Sequence, residues 1–241
     1  MSTSALPTAR PDAARTTALV AGLLYLVTFI SSIPAVFLLD PVLHDPTYIA
    51  RGGSDPRIVA GCLLDLVNAL ACIGTAVALF SIVRREHEGL ALGFVASRIY
   101  EAAVIMIGVV CLLAIVTLRK AGIAGTDRET MIAVGRSLVA VRDWTFLLGP
   151  SLAPAFNAAL LGTVLYRSRL VPRLIPIVGL IGAPLLLSAT LGTMFGINQQ
   201  VSAWSGLATL PIFLWELALG LWLTFRGFES SAPILASAPR S

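Results

Sequence analysis

Charge is scarce in this chain of 241 residues: 12 % are Asp, Glu, Lys or Arg, where a soluble globular domain carries about 25 %. Histidine is almost missing, with two in the chain, and there are three cysteines. Cys62, Cys72 and Cys111 all fall inside apolar runs, so they offer neither a disulfide framework nor a CxxC metal pair. Small buried residues are the role expected of them. A Walker loop, an HExxH helix and a dinucleotide fingerprint are all lacking. The Gly-Pro-Ser at 149–151 has no intramembrane histidine to act as its base. No catalytic residue, metal set or cofactor is assigned, and an enzyme is left unsupported. The net charge of +4 does not point to nucleic acid, because the arginines stand mostly at the ends of apolar runs, with no basic stripe interleaved with aromatics. Such placement follows from membrane insertion.

What the chain has in abundance is long hydrophobic runs. Hydrophobic residues make up 57 % of it, gathered into segments of the ~20 residues that cross a bilayer. The expected fold is an all-α polytopic membrane helix bundle of six transmembrane helices, at about 16–39, 58–83, 90–118, 144–166, 171–195 and 205–225. A disordered tail is expected at 1–15 and a polar one at 229–241. The first apolar stretch is too long for a secretory h-region and reads as a retained span. Residues 40–57, dense in Asp, Pro and Gly, read as a loop. Between 119 and 143, Thr126 and Glu129 form a capping-box pattern, followed by Met131, Val134, Leu138 and Val141 at helical spacing. This is either an amphipathic surface helix or an extension of the fourth span. Lys plus Arg number nine on the side of both termini and seven on the other. With the short, dense clusters weighing most, the count predicts both ends in the cytoplasm, N-in and C-in.

Ionisable residues inside spans are costly and face the bundle interior, which makes each a functional candidate. They are Asp65, Arg98, Glu101 and Glu216, joined by the amides Asn68 and Asn157. Asp65 and Asn68 share a helix face with Gly61, Cys72 and Thr75, all small or polar, so that seam is expected to pack against other helices. Arg98 and Glu101 share a face with Gly108, and Thr209, Glu216, Gly220 and Thr224 form a stripe on the last helix. Counting at ~1.5 Å per residue puts Arg98, Glu216 and Asn157 at one level, with Glu101 slightly deeper and Asp65 in the opposite half. One arginine is then expected to meet two glutamates and an amide. Set against Asp65, Glu101 and Glu216, it leaves two acids uncompensated. Asp40, His44 and Asp45 are a weaker set with metal-ligating side chains.

Three stretches carry a family resemblance: RTTALVAGLLYLVTF at 15–29, SRIYEA at 97–102 and PIFLWELALGLWLTFRGF at 211–228. With these the chain resembles, from about residue 15 to 228, a bacterial family known as domain of unknown function 4386. The resemblance implies a multi-pass bacterial membrane protein, carries no assigned activity, and maps its motif charges onto Arg98, Glu101 and Glu216.

The expected setting is the bacterial inner (plasma) membrane, with the lipid bilayer as partner. The leading expectation is a buried Arg/Glu/Asp cluster that binds or transports a small ligand, lipid headgroup or ion. One alternative is a structural or regulatory protein whose buried charges only fix helix packing; another is an intramembrane enzyme.

Overall fold

Inside a bilayer every backbone N–H and C=O must be satisfied by the segment itself, so apolar runs of this length fold as helices. The computed structural model describes residues 11–51, 55–121 and 127–235. Its helices are α1 (Pro11–His44), α2 (Pro56–Val83), α3 (Glu88–Ala121), α4 (Arg128–Phe146), α5 (Ala153–Ser168), α6 (Leu174–Met194) and α7 (Ala203–Phe225), and there is no strand among the described residues. Six segments are long and apolar enough to cross a membrane, α4 and α5 together forming one of them, Arg128–Ser168. The 128–142 stretch is thus the extension of the fourth span. Its cap is Asp127, whose carboxylate accepts from the Glu129 and Thr130 amides; Thr126 lies outside the described residues. These hydrogen bonds hold the Asp127 carboxyl below its usual range.

Several boundaries differ from the sequence expectation, each for a local reason. Residues 1–10 of the expected tail lie outside the described residues, and 11–15 already belong to α1. Arg15 donates to the Leu223 and Thr224 carbonyls at 3.0 and 2.9 Å, capping the C-terminal end of α7. Helix α1 also runs through Pro41 to His44. A proline removes the hydrogen bond to the carbonyl four residues back; here that carbonyl, Phe37 O, accepts instead from Arg57 Nη2 at 2.6 Å. At the other end, residues 226–235 fold back on the bundle. Ala232 is buried, Phe228, Ile234 and Leu235 pack on the core, and the Glu229 amide donates to Leu170 O at 2.9 Å.

The helices form a closed ring in which each span packs on its neighbours in sequence and α7 returns to α1. Lipid is as apolar as leucine, so close packing rather than water exclusion holds such helices together. Small residues make that approach possible. A side chain on Gly22 of α1 would meet the α7 backbone, at 2.5 Å from Thr224 N and 2.8 Å from Gly220 O. One on Gly179 of α6 would strike the Trp215 indole at 2.6 Å.

Two apolar clusters fill the ring. One, nearer the termini, contains Tyr25, Leu79, Phe94, Leu165 and Trp215. The other, at the opposite end, contains Leu39, Ile58, Leu112, Ile115 and Met131. Helix α2 passes from one to the other between Ala69 and Ala76, and α3 between Phe94 and Ala102. Cys72 and Thr75 lie at the first crossing and Arg98 and Glu101 at the second, with Asp65 and Asn68 just before the first.

Candidate functional site

The arginine at the α3 crossing organises the centre of the ring. Arg98 is 2 % exposed. Its Nη1 donates to Glu101 Oε2 at 3.1 Å and to Cys72 Sγ at 3.6 Å, while Nη2 donates to Glu216 Oε1 at 2.9 Å. Asn157 Nδ2 donates to the same Glu101 oxygen at 2.8 Å. The guanidinium carbon stands 5.0 Å from the centre of the Tyr25 ring and 5.7 Å from that of Phe94, within range of cation–π attraction. The cation therefore joins α1, α2, α3 and α7, and Glu101 extends the network to α5 through Asn157. The structure brings together Arg98, Glu101, Asn157 and Glu216, and adds Cys72, expected only as a small residue on the Asp65 face, and Tyr25, which the sequence did not single out. The guanidinium's carboxylate partners are themselves buried or nearly so.

Asp65 and Asn68 sit elsewhere. They point into a cavity of about 210 Å³ shared with Arg142 from α4, and walled by Ser32, Ile33 and Val36 of α1 and by Pro150. Arg142 is 9 % exposed and stacks its guanidinium 4.6 Å from the Phe146 ring. The sequence count placed it in a loop. Its buried position follows from α4 continuing into the span, the second of the two readings that the helical spacing of Met131 to Val141 left open. The charge sum changes accordingly: two arginines face the three acids, leaving one acid in excess instead of two.

The hub leaves Arg98 Nε and Asn157 Oδ1 buried without a partner among the described residues, whereas the ionic ends in the cavity lack direct contacts. Asp65, the Asn68 amide nitrogen and the Arg142 guanidinium have no side-chain hydrogen bond to any described residue, and Asp65 and Arg142 make no contact ion pair. The two regions are linked along α2. The Cys72 thiol that receives Arg98 donates in turn to Asn68 Oδ1 at 3.9 Å. Thr75, on the same face, is spent on its own helix, donating to Cys72 O at 2.7 Å. On α7 the expected stripe is incomplete, since Thr209 is exposed and donates to Ser205 O.

The cavity wall includes a helix break. Residues Leu147–Ser151 form a π-helical turn around Pro150, the kind of bulge that absorbs a proline's missing donor and is frequent at functional sites. The Ser151 carbonyl is taken by Thr190 Oγ1 at 3.1 Å. A side chain on Gly149 would press on Val104 at 3.1 Å, so the bulge lies directly against α3 one turn from Glu101.

A third polar group closes the far end of the ring. Arg119 Nη1 contacts Asp55 Oδ1 at 2.6 Å, both side chains being buried. The Tyr48 hydroxyl donates to the same carboxylate, and the Tyr48 ring lies 4.0 Å from the Arg119 guanidinium carbon. Burial, with the bond to Asp55, pushes the Tyr48 phenol up to about 12. Ile49 is buried beside it, where a side chain on Gly135 of α4 would reach it at 2.7 Å. Part of the expected 40–57 loop is therefore a plug in the bundle mouth, which the Asp, Pro and Gly content of that stretch concealed. Asp40 and His44 pair with each other at 3.0 Å on exposed α1, while Asp45 takes the Thr47 amide and hydroxyl and Arg51. The Thr47 bonds hold the Asp45 carboxyl below its usual range. Among the described residues no three His, Cys, Asp or Glu side chains gather as a metal set.

Compared with known proteins, residues 20–227 match a family model described as Domain of unknown function (DUF4386). No curated protein and no solved structure matches the chain.

Proposed function

The chain belongs to the Domain of unknown function (DUF4386) family and is a multi-pass membrane protein, and from that premise we propose that it binds a small polar ligand in the bacterial inner membrane. The site is the cavity between Asp65, Asn68 and Arg142, and the Arg98 hub holds its walls. One observation carries this reading: Asp65 and Arg142 share a cavity of about 210 Å³, and neither has a contact ion pair or a side-chain hydrogen bond among the described residues. Ionisable groups kept unpaired inside a membrane are expensive, and a ligand supplies the missing partner. In the hub both terminal nitrogens of Arg98 have protein acceptors, although its buried Nε has none among the described residues. The hub's role is to fix five helices in register.

The π-helical break on the cavity wall supports a transport step, since interrupted helices line transporter sites near the midplane. Both termini are cytoplasmic in this reading. Arg119 and Arg142 are buried in the bundle; without them the opposite side keeps five basic residues against nine.

Native mass spectrometry of the protein released from nanodiscs of bacterial lipid extract tests the assignment, with wild type beside Asp65→Asn and Glu216→Gln. A bound species lost in Asp65→Asn and kept in folded Glu216→Gln places the site in the cavity. Loss in Glu216→Gln alone moves it to the hub. Bare protein in all three samples would remove the ligand reading and leave the charges as packing devices.

A further inference from the structure

We infer that the ligand group is a zwitterion, an ammonium received by Asp65 and a phosphate or carboxylate received by Arg142, and that it is presented by phosphatidylethanolamine from the surrounding bilayer. This rests on the cavity being the binding site. Three features of the cavity choose the chemistry and the source.

The first is charge. Asp65 and Arg142 line one cavity, near enough to feel each other's charge but without a contact ion pair, so each keeps room for a partner of its own. An ion of either sign would satisfy one and leave the other exposed to low dielectric; a zwitterion satisfies both. The Asn68 amide nitrogen, whose carbonyl oxygen is already occupied by the Cys72 thiol, remains to donate to the anionic end.

The second is size. About 210 Å³ is several times the ~30 Å³ share of one water and below the ~300 Å³ at which small-molecule sites usually begin. It suits a headgroup whose remainder stays outside.

The third is access. Ile33 and Val36 line the cavity, yet are 47 % and 50 % exposed on the outer face of α1. The mouth is thus rimmed by apolar side chains on the surface that meets lipid, where acyl chains can rest. Asp65 lies nine residues into α2 from Pro56, or ~13 Å along the axis. That places it in the half of the bilayer opposite the termini, where a headgroup reaches it by entering along the lipid-facing side of α1.

The test is lipid retention by the full chain in nanodiscs containing equal phosphatidylethanolamine and phosphatidylglycerol, read by native mass spectrometry and followed by exchange of the ethanolamine lipid for phosphatidylcholine. Wild type is expected to retain one phosphatidylethanolamine per chain, about tenfold over phosphatidylglycerol, the size of one charge-assisted hydrogen bond. Phosphatidylcholine, which has no N–H to give Asp65, is expected to be retained less. Asp65→Asn should erase the ethanolamine preference, with folding checked by thermal melting. The lipid exchange in wild type needs no variant and decides the matter if Asp65→Asn does not fold. Equal retention of phosphatidylethanolamine and phosphatidylglycerol overturns the inference. If phosphoethanolamine added to phosphatidylglycerol discs binds saturably while no ethanolamine lipid is retained, the bilayer source is overturned and the zwitterion stands. A different bound species lost in Asp65→Asn overturns the zwitterion but leaves the cavity as a binding site. Bare protein in every lipid overturns both.

Discussion

Replacing Arg98 by methionine keeps the side-chain length and removes the one cation that Glu101 and Glu216 share. Three contacts disappear together: the bonds to Glu101 at 3.1 Å and Glu216 at 2.9 Å, and the longer one to Cys72 at 3.6 Å. Two charge-assisted hydrogen bonds at about 1.5–3 kcal/mol each set the scale. Breaking a buried pair by removing one partner costs about 3–5 kcal/mol. The larger part of that loss is the two carboxylates left without their cation, and this can be separated experimentally. Arg98→Met is expected to lower the folding equilibrium constant about 150- to 5,000-fold, measured by reversible unfolding in mixed micelles or by steric trapping in bicelles. The triple variant Arg98→Met/Glu101→Gln/Glu216→Gln is expected to recover at least half of the loss, since no unpaired charge remains. Glu216→Gln alone keeps an acceptor for Nη2 and should cost about 1–2 kcal/mol. A triple variant no more stable than Arg98→Met would refute the reasoning, as would a single-variant cost under about 1 kcal/mol. Either would mean that lipid or water satisfies those carboxylates and that the hub is not closed.

Three further predictions concern other parts of the bundle. Asp55→Asn should destabilise by about 3–5 kcal/mol and speed proteolysis within 45–51, because Arg119 loses its buried counter-ion and the plug its ionic anchor; unchanged proteolysis would show that the packing of Tyr48 and Ile49 holds the plug without the ion pair. Gly22→Ala should cost about 1–3 kcal/mol of overpacking, read as a lower thermal midpoint, because the new methyl meets the α7 backbone at 2.5 and 2.8 Å; an unchanged midpoint would mean that α1 and α7 slide apart freely. The Asp127 cap should protect the Glu129 and Thr130 amides above the ordinary carboxylate value of 3.8, and the protection should fade as pH falls through the lower folded value. The sign follows from linkage, since a carboxyl depressed on folding stabilises only while ionised. Protection factors for those two amides, compared between wild type and Asp127→Ala, check it, and identical factors at pH 7 would reject the cap.

What the sequence determined by itself was everything governed by length and hydropathy. Six runs of spanning length imply six helices because a bilayer permits little else, and the cost of burying charge made Arg98, Glu101 and Glu216 candidates before any contact was seen. Helical periodicity also put Asp65, Asn68 and Cys72 on one face. Their partners were a different matter. That Arg98 meets Glu216, 118 positions away, and that Asp65 faces Arg142 rather than Arg98, follow from which helices adjoin in the closed ring, and a linear pattern of apolar runs does not order that ring. Arg142, Arg119 and Asp55 were hidden for a related reason. Near a span's end, a basic or acidic residue reads the same whether it points to water or into the bundle. Only the packing of α4 on α3, and of the Tyr48–Arg51 turn into the mouth, turned those three inward, where an unpartnered charge costs several kcal/mol.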